Sequence, residues 1–210
     1  LAAAAAREEM DSLKTTLSTA LRTILYLTIP AGVGLFVLRE PLVALLFQRG
    51  QFDATSTQTV AFALAFYAPG LFALAVTEIL TRAYYALHDT RTPVLIAVAT
   101  VAANVALSLA FIGPLAHGGL ALAATLANSG EAVVLIVLLR RRLAGLDDYR
   151  VITSAARAIF AALIMGLVLG WLWSALTGVL DVSAAPALLA AVVIAVGAGA
   201  AVYGGLTWLM

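Results

Sequence analysis

Among the polar side chains inside long, mostly apolar stretches are Asn104 and Ser108, then Thr125, then Glu131. Asn104 and Ser108 are four apart, so on a helix they share a face. Asn104 lies ten residues before Pro114 and Thr125 eleven after it. If the two stretches pack as an antiparallel pair around a tight loop, a rise of about 1.5 Å per residue puts both at similar depth. Their oxygens are the ligand type that a hard cation such as Na⁺ takes. The same groups also make ordinary interhelical hydrogen bonds, worth about 0.6 kcal/mol each. Glu131 differs in kind. An ionised carboxylate in hydrocarbon is costly, so the group is protonated, paired or facing water. It reads either as a proton- or cation-responsive group on a transport path, or as a neutral carboxyl bonded between helices.

Other chemistries find little material. The two histidines, His88 and His117, fall in connections on opposite sides of the expected topology and cannot share a metal. There is no cysteine, which removes disulfide and thiol chemistry. No HExxH, GxSxG or phosphate-binding glycine loop occurs. An enzyme is not expected, and nothing in the charge pattern suggests nucleic acid as a partner.

The elements that must position these groups are long and apolar. Of the 210 residues, 63% are hydrophobic and 11% charged, and the mean hydropathy is +1.06. A soluble domain could not hide that surface. Stretches at 23–38, 57–80, 93–112, 119–139, 158–180 and 182–208 approach or exceed the roughly 20 residues a crossing needs. The first is short, and gains a turn from Ala20–Arg22 with Arg22 snorkelling to the interface. The expected fold is an all-α polytopic transmembrane helix bundle of about six spans. Three parts are expected: a cytoplasmic amphipathic lead-in helix over 1–22, with Leu13, Leu17 and Leu21 on one stripe; a four-helix part over 23–143; and a C-terminal helix pair over 144–210. The chain opens at Leu1 without a recognisable signal peptide, and a piece of a longer protein is expected.

Charge gives the bundle a direction. Ten of the twelve Lys and Arg residues fall before the first span, between the second and third, and between the fourth and fifth; the other two are Arg39 and Arg49. By the positive-inside rule the ten face the cytoplasm, and so do both ends of the chain. The connections carry folding signals. Pro41–Phe47 reads as a helix extension or an interfacial half-turn at the outer surface. Gly50 permits a sharp turn, and Asp53 or Thr55 can cap the next helix. Glu78 and Arg82 can pair, and Asp89, Thr92 and Pro93 form a tight turn into the third span. The loop around His117 turns on its glycines. Trp171, Trp173 and Trp208 read as interfacial anchors, and the glycines at 197–205 as sites of close packing or a lipid-facing groove.

Four segments, PLVALLFQRGQFD (41–53), YYALHDTRTP (84–93), GLALAATLANS (119–129) and LLRRRL (138–143), resemble the MurJ/MviN family in order and spacing. The specific part is two loop motifs: Arg49, Gly50, Phe52 and Asp53, and Asp89, Thr90, Arg91, Thr92 and Pro93. The resemblance is strong over 20–143 and, over 150–210, rests mainly on helix count. It implies a lipid II flippase of the bacterial cytoplasmic (inner) membrane, moving an undecaprenyl-linked cell-wall precursor by alternating access. It also implies a fourteen-helix MATE/MOP-type fold, of which this chain supplies helices nine to fourteen: part of the second lobe plus two extra C-terminal helices. Membrane lipid and lipid II are the implied partners. The charged headgroup cavity belongs to helices outside this chain. A family Na⁺ site is implied at Asn104 and Thr125, while Ser108 stands where the pattern can carry an acidic residue. The alternatives are a related multidrug or O-antigen lipid exporter, with different loop segments, and a non-transporting membrane scaffold.

Overall fold

Hydrocarbon offers no water to backbone N–H and C=O groups, so a crossing segment must bond itself. The chain does this with helices throughout. The computed structural model describes residues 2–143, 145, 147–179, 182 and 184–209, with side chains from Met10 onward, and no strand occurs among them. The expected boundary at 144, the residue Asp181 between the last two spans, and the side chains of Arg7, Glu8 and Glu9 lie outside the described residues.

α1 (Ala2–Val37) runs without a break through the expected junction at 22–23 and through Pro30. The leucine stripe expected on its first half packs inside the bundle. Leu17 and Leu21 are buried against Leu80 and Tyr84 and against Leu135 and Leu139. The lead-in and the first span are therefore one continuous helix. Arg22 is also more than a snorkelling cation: its Nε donates to Ser154 Oγ at 2.9 Å, tying α1 to α6 (Asp148–Val179).

α2 (Arg39–Phe47) is the short outer helix expected from its sequence, with Pro41 and Val43 buried. The second span runs from Ala54 to Ala86, longer than 57–80, and is two helices. α3 (Ala54–Tyr67) and α4 (Leu71–Ala86) meet at a single 3-10 turn, Ala68–Gly70. Pro69 has no N–H to continue the ladder, which is why the helix tightens there.

α5 (Arg91–Arg142) holds the third and fourth spans. Its 52 residues would make a straight rod of about 78 Å, more than twice the hydrocarbon thickness of about 30 Å. It is a hairpin, with arms at 91–115 and 117–142. Ala116 breaks it at φ 48°, ψ −130°, and a Cβ on Gly119 would lie 2.3 Å from the Phe111 carbonyl oxygen. Among the described residues five helices are long and apolar enough to cross a membrane; counting both arms of α5 gives six crossings. The expectation that glycines make this turn is corrected. An alanine takes the left-handed backbone, while Gly118 and Gly119 are buried at the start of the second arm. There they let it approach Phe62 and Phe111 more closely than any side chain would allow.

α6 packs on α1 and on α7 (Ala185–Leu209). Ala161, Met165 and Leu169 meet Ala195 and Tyr203 in a second core. Tyr203 donates to the Tyr26 carbonyl at 2.8 Å, and the two rings sit 5.1 Å apart, so α7 is also fastened to α1. Trp171 and Trp208 are exposed, as interfacial anchors would be. Trp173 is not: it packs against the second core. Gly199 accommodates Leu169, whereas Gly197, Gly204 and Gly205 have open space.

A close backbone approach between separate elements joins α1 and the 3-10 turn. A Cβ on Gly32 would stand 2.7 Å from the Ala68 carbonyl oxygen, whereas one on Gly34 would meet nothing within 4 Å. Gly32→Ala is expected to destabilise by about 1–3 kcal/mol, the usual cost of overpacking against a fixed backbone. Gly34→Ala should hold or gain about 0.5–1 kcal/mol. Thermal unfolding in detergent, read side by side, checks both.

Candidate functional site

The polar residues of the hairpin are positioned by the break in the second span. With no N–H at Pro69, carbonyls in the preceding turn lose helical partners. The Thr125 hydroxyl supplies one, donating to the Phe66 carbonyl at 2.7 Å. Gly70 makes the room: a Cβ there would lie 2.7 Å from Thr125 Oγ1. On the other arm, Ser108 Oγ donates to Asn104 Oδ1 at 3.4 Å. The described hydrogen bonds thus join Ser108 to Asn104 and Thr125 to the second span; none joins the two pairs. Among the described residues no three His, Asp or Glu groups gather as a metal cluster. Thr100 was not singled out from sequence. Its side chain lies beside the Glu131 carboxyl, across the hairpin.

The two loop motifs are folding devices. In the outer loop, Arg49 N–H donates to the Phe47 carbonyl, Phe52 N–H to the Arg49 carbonyl, and Gly50 takes φ +58°. The Phe52 ring meets Phe47 at 6.0 Å. Asp53 caps α3 by accepting from Ser56 N–H at 2.8 Å. That bond is the main cause holding its carboxyl below the ordinary aspartate range.

In the inner loop, His88 takes a left-handed φ of 57°, and the Asp89 carboxylate becomes a clamp. It accepts from Thr92 N–H at 3.0 Å and from the Thr92 hydroxyl at 2.8 Å. It also pairs with Arg142 at the far end of the hairpin. Thr90 stands at the N-cap without a side-chain cap bond, Arg91 opens α5, and Pro93 is buried in its first turn. Tyr84 closes the same corner, its hydroxyl donating to the Leu135 carbonyl at 3.0 Å. Glu78 and Arg82 form the expected pair, at 2.8 Å and well exposed.

An open groove of about 440 Å³ lies between α1, the 3-10 turn and α4, the second arm of α5, and α6. Thr28 is the only polar side chain on its walls, and that hydroxyl is committed to the Ile24 carbonyl at 2.8 Å. Leu25, Phe72, Ile136 and Ile159 typify the lining. Such a surface has no donor or acceptor to offer and suits a hydrocarbon chain.

The sequence pattern of the family described as Lipid II flippase MurJ matches residues 1–191. The chain belongs to the MurJ family. A probable lipid II flippase MurJ of Rhizobium meliloti is 39% identical over 145 residues, 69% of this chain and 27% of the relative. One from Rhizobium tropici is 34% identical over 74% of this chain and 30% of its own length. One from Haemophilus influenzae is 32% identical over 73% and 30%. A solved MurJ structure in an inward closed conformation superposes with a TM-score of 0.79 at 25% identity, covering 95% of this chain and 39% of that one. The chain therefore spans under a third of the length of these curated MurJ relatives. Its six crossings have the helical arrangement of part of a MurJ fold, in a multi-pass membrane protein.

The Asp89 clamp has a pH signature. Thr92 N–H, then the Thr92 hydroxyl and Arg142, hold the carboxyl below its ordinary range. A carboxylate lowered on folding adds stability that is complete above its unfolded value, about pH 4, and is lost as pH falls through the lowered value. Wild-type thermal stability is expected to be steady above that pH and to decline below it. Asp89→Asn should lower stability at neutral pH and flatten the acid-side decline. Melting curves across the acid range check this.

Proposed function

We propose that this chain is the C-terminal part of a lipid II flippase, moving an undecaprenyl-linked cell-wall precursor across the bacterial cytoplasmic membrane by alternating access. It acts by transport and changes no covalent bond. In this reading residues 23–143 supply four spans of the second MATE/MOP-type lobe, and 144–210 supply the terminal pair. Membership of the MurJ family over most of the chain carries the proposal. The distribution of Lys and Arg supports both ends lying in the cytoplasm.

The packing suggests how such a part moves. α1, α6 and α7 are fastened by Arg22 to Ser154 and by Tyr203 to Tyr26. The hairpin is fastened to the second span by Thr125 to Phe66, Tyr84 to Leu135 and Asp89 to Arg142. Two braced blocks meet along the apolar groove, which would seat part of the lipid tail while the charged headgroup is held elsewhere in the whole protein. Rigid-body alternation of such blocks is the usual device of transporters of this type.

The implied Na⁺ finds oxygens but no acidic ligand at Asn104, Ser108 and Thr125. Thr125 Oγ1 has given its proton to Phe66 and keeps lone pairs for a cation, and Asn104 Oδ1 is a second donor atom. A bound Na⁺ would supply positive charge between the arms.

A chimera tests the proposal. The residues of this chain replace the segment they match in the Rhizobium meliloti relative, in cells depleted of their own flippase. The chimera is expected to sustain lipid II translocation. A chimera that inserts stably yet leaves lipid II on the inner face contradicts the reading and favours a scaffold or an exporter of another lipid.

A further inference from the structure

The two arms of the hairpin enclose an open groove of about 410 Å³, and one ionisable group lines it. That group is Glu131. It is half-buried, with the half-buried Thr100 side chain beside its carboxyl from the opposite arm. The remaining lining is aliphatic or small, including Ile96, Ala103, Leu107, Ala127 and Gly130.

Depth follows from counting. Glu131 is nine residues from Arg140, and Thr100 is nine from Arg91. At about 1.5 Å per residue both lie about 13 Å from the basic end of their own arm. That is close to the middle of a hydrocarbon layer about 30 Å thick. No described ion pair reaches Glu131. Of the charged groups on the elements packed around it, Arg91 and Arg141 stand at the basic ends of the two arms, and others are engaged with their own partners. Tyr84 donates to the Leu135 carbonyl, Glu78 pairs with Arg82, Arg142 with Asp89, and Arg140 with Asp148. His117 lies at the other end of the hairpin, against Phe62.

An unpaired carboxylate at this depth is unfavourable, which favours a carboxyl that holds a proton, while the Thr100 hydroxyl can donate to the carboxylate left when the proton is released. We infer that Glu131, positioned by Thr100, is an intramembrane proton-binding site in the seam of the hairpin. The ligand is H⁺ itself. Protonation and release would change the charge of the seam by one unit, at a place where the two arms face each other. The site is separate from Asn104, Ser108 and Thr125, and it does not require the chain to be part of a flippase.

The test reads protonation and not transport, so its failure is distinguishable from failure of the flippase reading. The full chain, carrying carbon-13 glutamate, is reconstituted in phosphatidylethanolamine–phosphatidylglycerol vesicles and followed by infrared difference spectroscopy against pH. The isotope separates glutamate from aspartate. A glutamate carboxyl C=O band is expected at neutral pH, disappearing at alkaline pH and absent from Glu131→Gln. Thr100→Val should shift the midpoint and Thr100→Ser should restore it, a comparison that stands even if Glu131→Gln does not fold. Glutamates that are all ionised at neutral pH, a band that survives Glu131→Gln, or a midpoint indifferent to Thr100→Val would overturn the inference.

Discussion

The structure depends on one constraint: inside hydrocarbon, every backbone N–H and C=O needs a partner from the protein itself. Long helices meet it by default, so the informative places are the breaks. There are two, and they are treated differently. The sharp reversal at Ala116 falls between arms, at the end of a crossing. The 3-10 turn at Ala68–Gly70 falls within a crossing, and there the Thr125 hydroxyl bonds the Phe66 carbonyl. Pro69, Gly70 and Thr125 act as one unit, although Thr125 is distant in sequence. The same turn presents the Ala68 carbonyl to Gly32 of α1. A single imino acid thus organises contacts among three spans.

From this framework come two sets of braced helices, α1 with α6 and α7 and the hairpin with the second span, joined where α1 packs on α4 and the 3-10 turn, with an apolar groove beside that seam. The bracing bonds use few charges inside the membrane. Charged pairs sit at the helix ends, where Asp89 and Arg142, Arg140 and Asp148, and Glu78 and Arg82 fix corners. The conspicuous loop motifs belong to this class. Asp53 and Asp89 cap helices, and Gly50 and His88 bend the chain. These residues set turns in this chain, and none of them lines the apolar groove; Arg49 lines a separate cavity.

Much of this was legible in the sequence, for physical reasons. Hydropathy located the spans because the bilayer demands it. Capping residues located the helix starts because free amides demand them. The stripe of Leu17 and Leu21 was read as the apolar face of an amphipathic helix leading into the membrane, and packing adds its partners, Leu80 and Leu135. The glycines before the fourth span were read as turn formers. In fact they permit close approach, and a Gly-rich stretch cannot by itself distinguish the two uses. Thr125 stood out as polar, but its partner is a backbone carbonyl, which leaves no trace in side-chain chemistry. Thr100 was hidden among the small residues of an apolar arm. Its distance from Arg91, equal to that of Glu131 from Arg140, is the signal that would have found it.

The six-crossing topology carries the account, and it turns on whether the 52 residues of α5 cross once or twice. The absence of cysteine makes the measurement clean. Single cysteines are placed at Gly113, which has open space for a side chain, and at Arg141, in the last turn of the second arm. Both are probed with a membrane-impermeant maleimide. The account predicts that Gly113→Cys reacts in intact cells and Arg141→Cys only after the membrane is opened. Reaction of both from the same side, or a Gly113→Cys buried from both sides, would contradict it.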